Sequence, residues 1–221
     1  MRNLKYLCIF GLIISTGLVV KVNVDNKRAE DASKLPKEVV ESKSFIRWIT
    51  NAKNKGADID SDEFRLREEY ETFSVTNVKV YSLDKPENNA LLKETLAQNA
   101  NEKRVVFSPN GKMLLDYRDS PTGINPTIRI FGLRGNKIVD SQIIRCFDQN
   151  NCYFDRAYFL TDDLLVVHEI STAAHGMSCT RANICKLTFK THVVNLADNK
   201  IKSYYSKEKS FSIDEWITKN S

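Results

Sequence analysis

Four cysteines in the C-terminal half of the chain form two pairs with equal spacing. Cys146 and Cys152, and likewise Cys179 and Cys185, are separated by five residues. Thiols in such pairs oxidise to disulfides, bind zinc with all four together, or remain free. Structural zinc sites usually place two to four residues between paired cysteines, so the spacing favours two local disulfides, although it does not fix the connectivity. Each short bridge would contribute roughly 2–2.5 kcal/mol in the chain-entropy treatment.

Acidic residues near position 60 match a metal-binding pattern. Asp58, Asp60, Asp62 and Glu69 occupy positions 1, 3, 5 and 12 of a calcium-loop template. That loop needs glycine at its sixth position for a sharp turn, and this chain has Glu63 there. The pattern indicates either a calcium site or a solvated acidic segment that leads into the first strand.

The chain has three histidines, and two of them suggest a catalytic hypothesis. An exported hydrolase or metal-dependent enzyme would use His168, His175 and Glu169 if these side chains converge, because acid–base chemistry requires mutual geometry. His168 and Glu169 are neighbours in the apolar run LLVVHEI, so one of the two is expected to face outward from a strand. No nucleophile elbow, phosphate-binding loop or H-E-x-x-H helix is present, and we predict no cofactor.

One long connection is the main candidate for binding. Residues 171–184 (STAAHGMSCTRANI) are rich in small side chains and include Cys179 of the second cysteine pair. Loops on a rigid sheet often carry binding function, and a bridge at the base would order this one before a ligand arrives. The candidate binding residues are His175, Met177 and Arg181; the alternative is a surface loop without function.

Helices are predicted at three places. Apolar spacing over Lys37–Lys53 predicts an amphipathic helix that starts at Pro36 and ends before Gly56. Leu91–Asn99 fits a short helix or a strand. Ser212–Lys219 fits a last helical turn.

Apolar runs between turn dipeptides predict a mainly β domain of antiparallel hairpins. The turn dipeptides are Asn110-Gly111, Gly135-Asn136 and Asp198-Asn199. The predicted strands are Phe73–Leu83, Arg104–Phe107, Met113–Tyr117, Thr127–Leu133, Lys137–Ile144, Tyr153–Leu160, Leu164–Ile170, Leu187–Leu196 and Lys200–Tyr205.

Part of this pattern repeats. Three segments each read as a strand ending in leucine, a polar turn and a second strand; they align at Leu83, Leu133 and Leu196. The run from Phe107 to Leu115 (FSPNGKMLL) resembles the FSPDGK-type hairpin of β-propeller blades, as in WD-repeat and TolB-like proteins, over residues 105–140. The resemblance implies blade-like hairpins. A closed ring needs at least four blades, and this length holds about three. We therefore expect an open sheet, a sandwich or an incomplete propeller, and favour propeller-like hairpins without a closed ring.

The N-terminus predicts export. Two basic residues precede an uncharged, mostly apolar run, Tyr6–Val20, which is typical of a signal peptide and slightly short for a membrane span. We predict a signal peptide or membrane anchor over residues 1–21, a linker over 22–35 and a single extracytoplasmic domain over 36–221, whether secreted, periplasmic or membrane-anchored.

The charge of the domain argues against nucleic-acid binding. The whole chain has a formal charge of +5, but residues 22–221 carry 30 basic and 28 acidic side chains in mixed order. We expect a binding or interaction domain for a protein or another envelope ligand, attached to the membrane if the leader is uncleaved. The alternatives are the exported enzyme and a structural cell-envelope protein.

Overall fold

The structure, a computed structural model, describes residues 27, 30–118, 126–146, 152–172 and 184–212. The chain divides into two compact units, Met1–Lys34 and Leu35–Ser221. In the first, Lys34 forms an ion pair with Asp31 at 3.2 Å. The predicted leader and nearly all of the C-terminal helical turn lie outside the described residues. Within the described ranges, no helix has the length and apolar character to span a bilayer.

Within the described residues of the second unit there are three α-helices and one short 3₁₀-helix. The α-helices are α1 (Lys37–Val40), α2 (Lys43–Asn54) and α3 (Pro86–Gln98), and the 3₁₀-helix is Ser61–Glu63. The sequence predicts one helix over Lys37–Lys53, whereas the chain forms two. The break occurs because Ser42 caps α2: its hydroxyl accepts a hydrogen bond from the Phe45 amide at 3.2 Å.

Eleven strands are described. They are β1 (Arg65–Glu71), β2 (Val78–Ser82), β3 (Val105–Phe107), β4 (Met113–Asp116), β5 (Thr127–Arg134), β6 (Lys137–Arg145), β7 (Cys152–Phe159), β8 (Leu164–Thr172), β9 (Ile184–Asn195), β10 (Lys200–Tyr205) and β11 (Lys209–Ser212). The predicted strand over Phe73–Leu83 is shorter, because the Asn77 side chain accepts from the Ser74 amide and donates to the Thr72 carbonyl, which makes a turn of the residues before Val78. The mainly β prediction is confirmed.

The strands form two antiparallel sheets. The first sheet has the order β1-β10-β9-β8-β7, with β11 also paired to β9, and the second has the order β2-β6-β5-β4-β3. Each sheet is a meander of four consecutive strands, β7–β10 or β3–β6, joined by one earlier strand beside the last. The second and third copies of the sequence repeat lie in these meanders. The first copy differs, since α3 follows β2 where a second strand was expected.

Three apolar clusters form where helices and sheets pack against one another. Phe45 and Trp48 of α2 pack with Val166 and other side chains of the first sheet. A second cluster takes side chains from both sheets, including Leu165 and Val167 of β8. The third joins α3 to the second sheet. Alternate residues of β8 thus enter different clusters, and the first sheet is covered on both faces.

Candidate functional site

His168 is a buried residue beneath α2. Its imidazole stacks on the Trp48 indole, with ring centroids 3.8 Å apart and planes 7° from parallel. The Nδ1 atom lies 3.1 Å from the Thr191 hydroxyl, and the Nε2 atom lies 3.3 Å from the Tyr158 hydroxyl. Burial lowers the pKa of His168 well below its usual value, so the ring is neutral. Because both ring nitrogens have partners in the core, His168 is a packing residue.

Glu169 leaves β8 on the opposite face and is also buried, with 4% of its surface exposed. The expectation that one of His168 and Glu169 faces outward is therefore wrong, since both faces of the sheet are covered. Glu169 Oε1 accepts from Lys190 Nζ at 2.7 Å, and Oε2 lies 3.0 Å from His192 Nε2. Strand register brings them together, because Glu169 pairs directly with Lys190 across β8 and β9.

The charge on Glu169 is set by these neighbours. Burial by itself would raise the pKa of the carboxyl, but hydrogen bonds and charges from His192 and Lys190 outweigh it and lower the pKa to about 2. The carboxylate is therefore ionised at neutral pH. Glu169 and Lys190 neutralise each other in this ion pair. Both carboxylate oxygens already have partners, one in Lys190 and the other in His192.

The polar network continues across the sheet toward β1. The Nδ1 atom of His192 lies 2.8 Å from the hydroxyl of Ser203, its cross-strand partner. The Lys190 ammonium lies 4.9 Å from the centroid of the Tyr205 ring, and the Tyr205 hydroxyl donates to Glu68 at 2.8 Å. Burial raises the pKa of Tyr70, beside this row, to about 12, so it stays protonated.

A cleft of about 720 Å³ opens over this network. Its first wall is a face of the first sheet, and its second wall is part of β6 together with the turn before β2. The disulfide between Cys146 and Cys152 lies in its lining and joins the end of β6 to the start of β7, with Cα atoms 6.0 Å apart. The cleft is also lined by Glu68, Tyr70, Glu71, Gln142, Ile143, Ile144, Arg145, Glu169, Ser171, Lys190, His192 and Tyr205.

One lining group lacks a hydrogen-bond partner. The Ser171 hydroxyl is buried, and only 6% of the residue is exposed. Within the described part of the chain, its Oγ atom has no partner. Buried hydroxyls are normally satisfied by protein, water or ligand. Ser171 belongs to the lining of the cleft.

The network also has the order of a hydrolytic triad. Ser203, His192 and Glu169 follow one another as hydroxyl, imidazole and carboxylate at 2.8 and 3.0 Å. Ser203, however, is fully buried and is not part of the cleft lining. A nucleophile must reach its substrate. In this conformation Ser203 cannot reach a ligand in the cleft, and the three hydrogen-bonded groups stabilise the sheet.

The acidic residues of the calcium template have other roles. The Asp60 carboxylate caps the 3₁₀-helix through the Asp62 amide at 3.1 Å. Glu69 accepts from Lys200 at 2.6 Å and lies 3.6 Å from Lys202. Asp58 is exposed. Among the residues that the structure describes, no group of three or more histidine, cysteine or acidic side chains is placed to hold a metal ion.

The remaining predicted residues lie partly outside the described ranges. The bridge between Cys146 and Cys152 is confirmed. Cys179, His175, Met177 and Arg181 are outside the described residues, and the side chain of Cys185 is too. Sequence reasoning missed the cleft. Lys190 and His192 share the strand parity of buried Val194, and this polar pair in core-facing positions was the available signal.

No known protein family, no characterised protein and no solved structure matched this chain when it was compared with each. The site's geometry therefore carries the functional argument. The disulfide is compatible with an oxidising compartment outside the cytoplasm.

Proposed function

We propose that this protein is an extracytoplasmic binding domain and that the cleft beside Glu169 and Lys190 is its ligand site. The observation that carries the proposal is the buried, ionised Glu169 held by two cross-strand partners in the lining of an open cleft. Charged groups fixed in this way are arranged before a ligand arrives, which reduces the ordering cost of binding. Ser171, whose buried hydroxyl has no partner among the described residues, lies in the same lining.

Binding is favoured over catalysis by the occupancy of the reactive atoms. Both oxygens of Glu169 and both ring nitrogens of His192 are already hydrogen-bonded within the protein. A general base needs a lone pair directed at the substrate. Of Glu169, His192 and Lys190, only Lys190 is more than slightly exposed, with 20% of its side chain accessible.

The same proposal includes the arrangement of the two sheets. We interpret them as a stack of two meanders, with α2 on the outer face of one and α3 on the outer face of the other. A propeller blade packs both faces against neighbouring blades, whereas here each outer face carries a helix. Contacts between equivalent turns support the stack: the Asn110 amide donates to Asp162 at 2.9 Å, and Arg134 donates to the Leu196 carbonyl.

Two ligand collections test the binding site. The purified domain is screened by fluorescence polarisation against acetylated, amidated hexapeptides and against uncharged oligosaccharides, and hits are measured again with Glu68→Gln and Ser171→Ala. We expect a loss of affinity of about tenfold or more for at least one of these two variants. Glu69→Gln is the matched control, because Glu69 lies outside the cleft lining and pairs with Lys200. Equal binding by all variants, or no ligand in either collection, would contradict the proposal.

Hydrolysis is the second candidate, favoured by the Ser203–His192–Glu169 order alone. A fluorophosphonate probe labels serine nucleophiles that are activated and accessible. We expect no labelling of the wild type, since Ser203 is fully buried. Labelling that disappears in Ser203→Ala and in His192→Gln would establish the hydrolytic reading instead.

A further inference from the structure

The second sheet meets the cleft with the edge of a strand. All five consecutive residues from Gln142 to Cys146 line the cleft. Side chains alternate along a strand, so a sheet face contributes every second residue. β8 and β9 of the first sheet do this, with Glu169 and Ser171 from β8 and with Lys190 and His192 from β9; at the end of β1, Glu71 is added to Glu68 and Tyr70. In β6 the run is uninterrupted for two reasons. A β-bulge at Ile143, which the pairing with β5 skips, breaks the alternation of side chains, and the stretch lies at an edge of its sheet, beyond the end of the ladder with β2.

Among the described strands, this part of β6 has a neighbour on one side only. The ladder between β2 and β6 runs from Ser82 opposite Lys137 to Val78 opposite Ser141, and it ends there. Ahead of Val78 the chain turns, held by the Asn77 side chain. On the other side β5 continues to pair as far as Arg145. Within the described ranges, no strand lies beside residues 142–145 where β2 would continue. Unpaired N–H and C=O groups at such an edge can pair with another chain.

We infer that the ligand is an extended peptide that adds to β6 as a strand, in line with β2 and beyond its start; this rests on the proposed function of the cleft. The open edge of residues 142–145 accommodates about four peptide residues, or roughly 14 Å at the rise of a strand. Main-chain hydrogen bonds supply the affinity in this mode of recognition, and alternate side chains of the peptide supply the specificity.

The facing wall sets the preferred side chain. A strand added to β6 directs every second side chain toward the first sheet. There, Glu169 and Lys190 neutralise each other. Glu68 and Glu71 of β1 are exposed acidic residues in the same lining. The inferred peptide therefore carries a lysine or arginine over β1.

Backbone methylation tests strand addition. The tightest hexapeptide from the acetylated, amidated collection is resynthesised with a single N-methyl group at each amide in turn. We expect alternate positions to lose tenfold or more in affinity and intervening positions to lose twofold or less, because only every second amide faces β6. Replacing the basic residue of the peptide by norleucine should cost about tenfold with the wild type, and much less with Glu68→Gln/Glu71→Gln. Glu69→Gln, outside the cleft lining, should keep the full wild-type sensitivity.

The outcomes separate the inference from the function. Peptides that bind in the cleft with equal tolerance of methylation at every amide overturn strand addition, and so does binding of oligosaccharides without peptides. In both cases loss of affinity in Glu68→Gln or Ser171→Ala would leave the cleft as the ligand site. Failure of both collections to bind overturns the inference and the proposed function together.

Discussion

At the scale of single residues, β8 places a neutral and an ionised group side by side in sequence and on opposite faces of one sheet. His168 is kept neutral because it is buried against Trp48 with hydroxyl partners for both ring nitrogens. Glu169 is kept ionised because Lys190 and His192 supply donors. The same burial therefore has different consequences, decided by whether charged partners lie within reach.

His168 should make stability depend on pH below its ordinary pKa. The unfolded chain takes up a proton at His168 near pH 6.5, and the folded chain does not, since burial lowers the folded pKa. Stability is therefore full above about pH 6.5 and falls as the pH decreases. Urea unfolding of wild type and His168→Gln should show that the wild type loses about 2 kcal/mol more between pH 7.5 and 5. Parallel curves for the two proteins would contradict this assignment.

Glu169→Gln should break the buried ion pair. The variant leaves Lys190 without its countercharge, and we expect the unfolding free energy to fall by roughly 3 kcal/mol, near the low end for broken buried pairs, because Lys190 is partly exposed. The difference in unfolding free energy between the wild type and the variant should reach its full size above about pH 4.5. It should shrink as the pH falls toward 2, since the pKa of Glu169 in the folded protein is lowered to about 2.

The control for Glu169→Gln is Glu69→Gln, whose pair with Lys200 is exposed. Its change at pH 7 should be much smaller, because solvent screens exposed pairs. Urea denaturation at several pH values measures both variants, and equal losses would show that burial does not strengthen the Glu169 pair.

Sequence could indicate only part of the site at this scale. The cysteine spacing favoured the local Cys146–Cys152 bridge that the structure contains, although it did not fix the connectivity. The calcium template matches residue types along the sequence, and such a match says nothing of the lysines that β10 brings beside Glu69. Lys190 and Ser171 lie in the cleft because of the register between strands, and that register depends on pairing between segments that are distant in sequence.

At the scale of elements, turn chemistry explains why most hairpins could be predicted. Asn199 and Gly135 adopt positive φ values of 56° and 60° at predicted turns. β1 was not predicted, and α3 was predicted only in part, as a short helix or a strand over Leu91–Asn99, for physical reasons. The sequence RLREEYE of β1 carries polar residues toward both faces, so it lacks apolar alternation. The segment after β2 became α3 because Pro86 begins the helix and Leu92 and Leu96 fall on one side of it.

Gly132 of β5 should be the least replaceable of the β-turn and strand glycines. Its φ is 148°, and a Cβ would overlap the carbonyl oxygen of Lys112 and lie 2.5 Å from the Met113 Cα. Gly132→Ala forces backbone of the neighbouring strand to move, and we expect a loss of about 3 kcal/mol or more. Gly135→Ala is the matched control: its φ is also positive, but the space is open, so the loss should be about 1 kcal/mol. Chemical denaturation of both variants compares them, and equal losses would refute the steric argument.

At the scale of the whole molecule, the repeat indicated two meanders but not their relation. Local turn signals describe hairpins, whereas the contact of the two sheets depends on apolar side chains from β4 to β10 that are far apart in sequence. The cleft depends on both sheets. The pairing of β2 with β6 stops at Ser141, whereas residues of the first sheet line the cleft beyond that point. Nothing in the local pattern of either strand specifies that difference in length.

The bridge between Cys146 and Cys152 connects the two meanders, so its loss should affect stability and the cleft together. Cys146→Ser/Cys152→Ser removes a constraint on a short loop, and we expect the unfolding free energy to fall by roughly 2 kcal/mol. Both cysteines line the cleft, between β6 and β7. Loosening this junction should therefore also weaken peptide binding, by about threefold or more, under conditions in which the variant remains fully folded.

Reductant separates this bridge from the second predicted one. Dithiothreitol should destabilise the wild type by more than it destabilises the double variant, because only the wild type holds the Cys146–Cys152 bond. Any effect that remains in the variant reports on the predicted pairing of Cys179 with Cys185. Mass mapping of the non-reduced protein, isolated from its native compartment, gives the independent measurement. Four free thiols in that sample would contradict both the oxidising compartment and the stabilising role of the bridge, since a bond absent in the cell cannot hold the two walls of the cleft together.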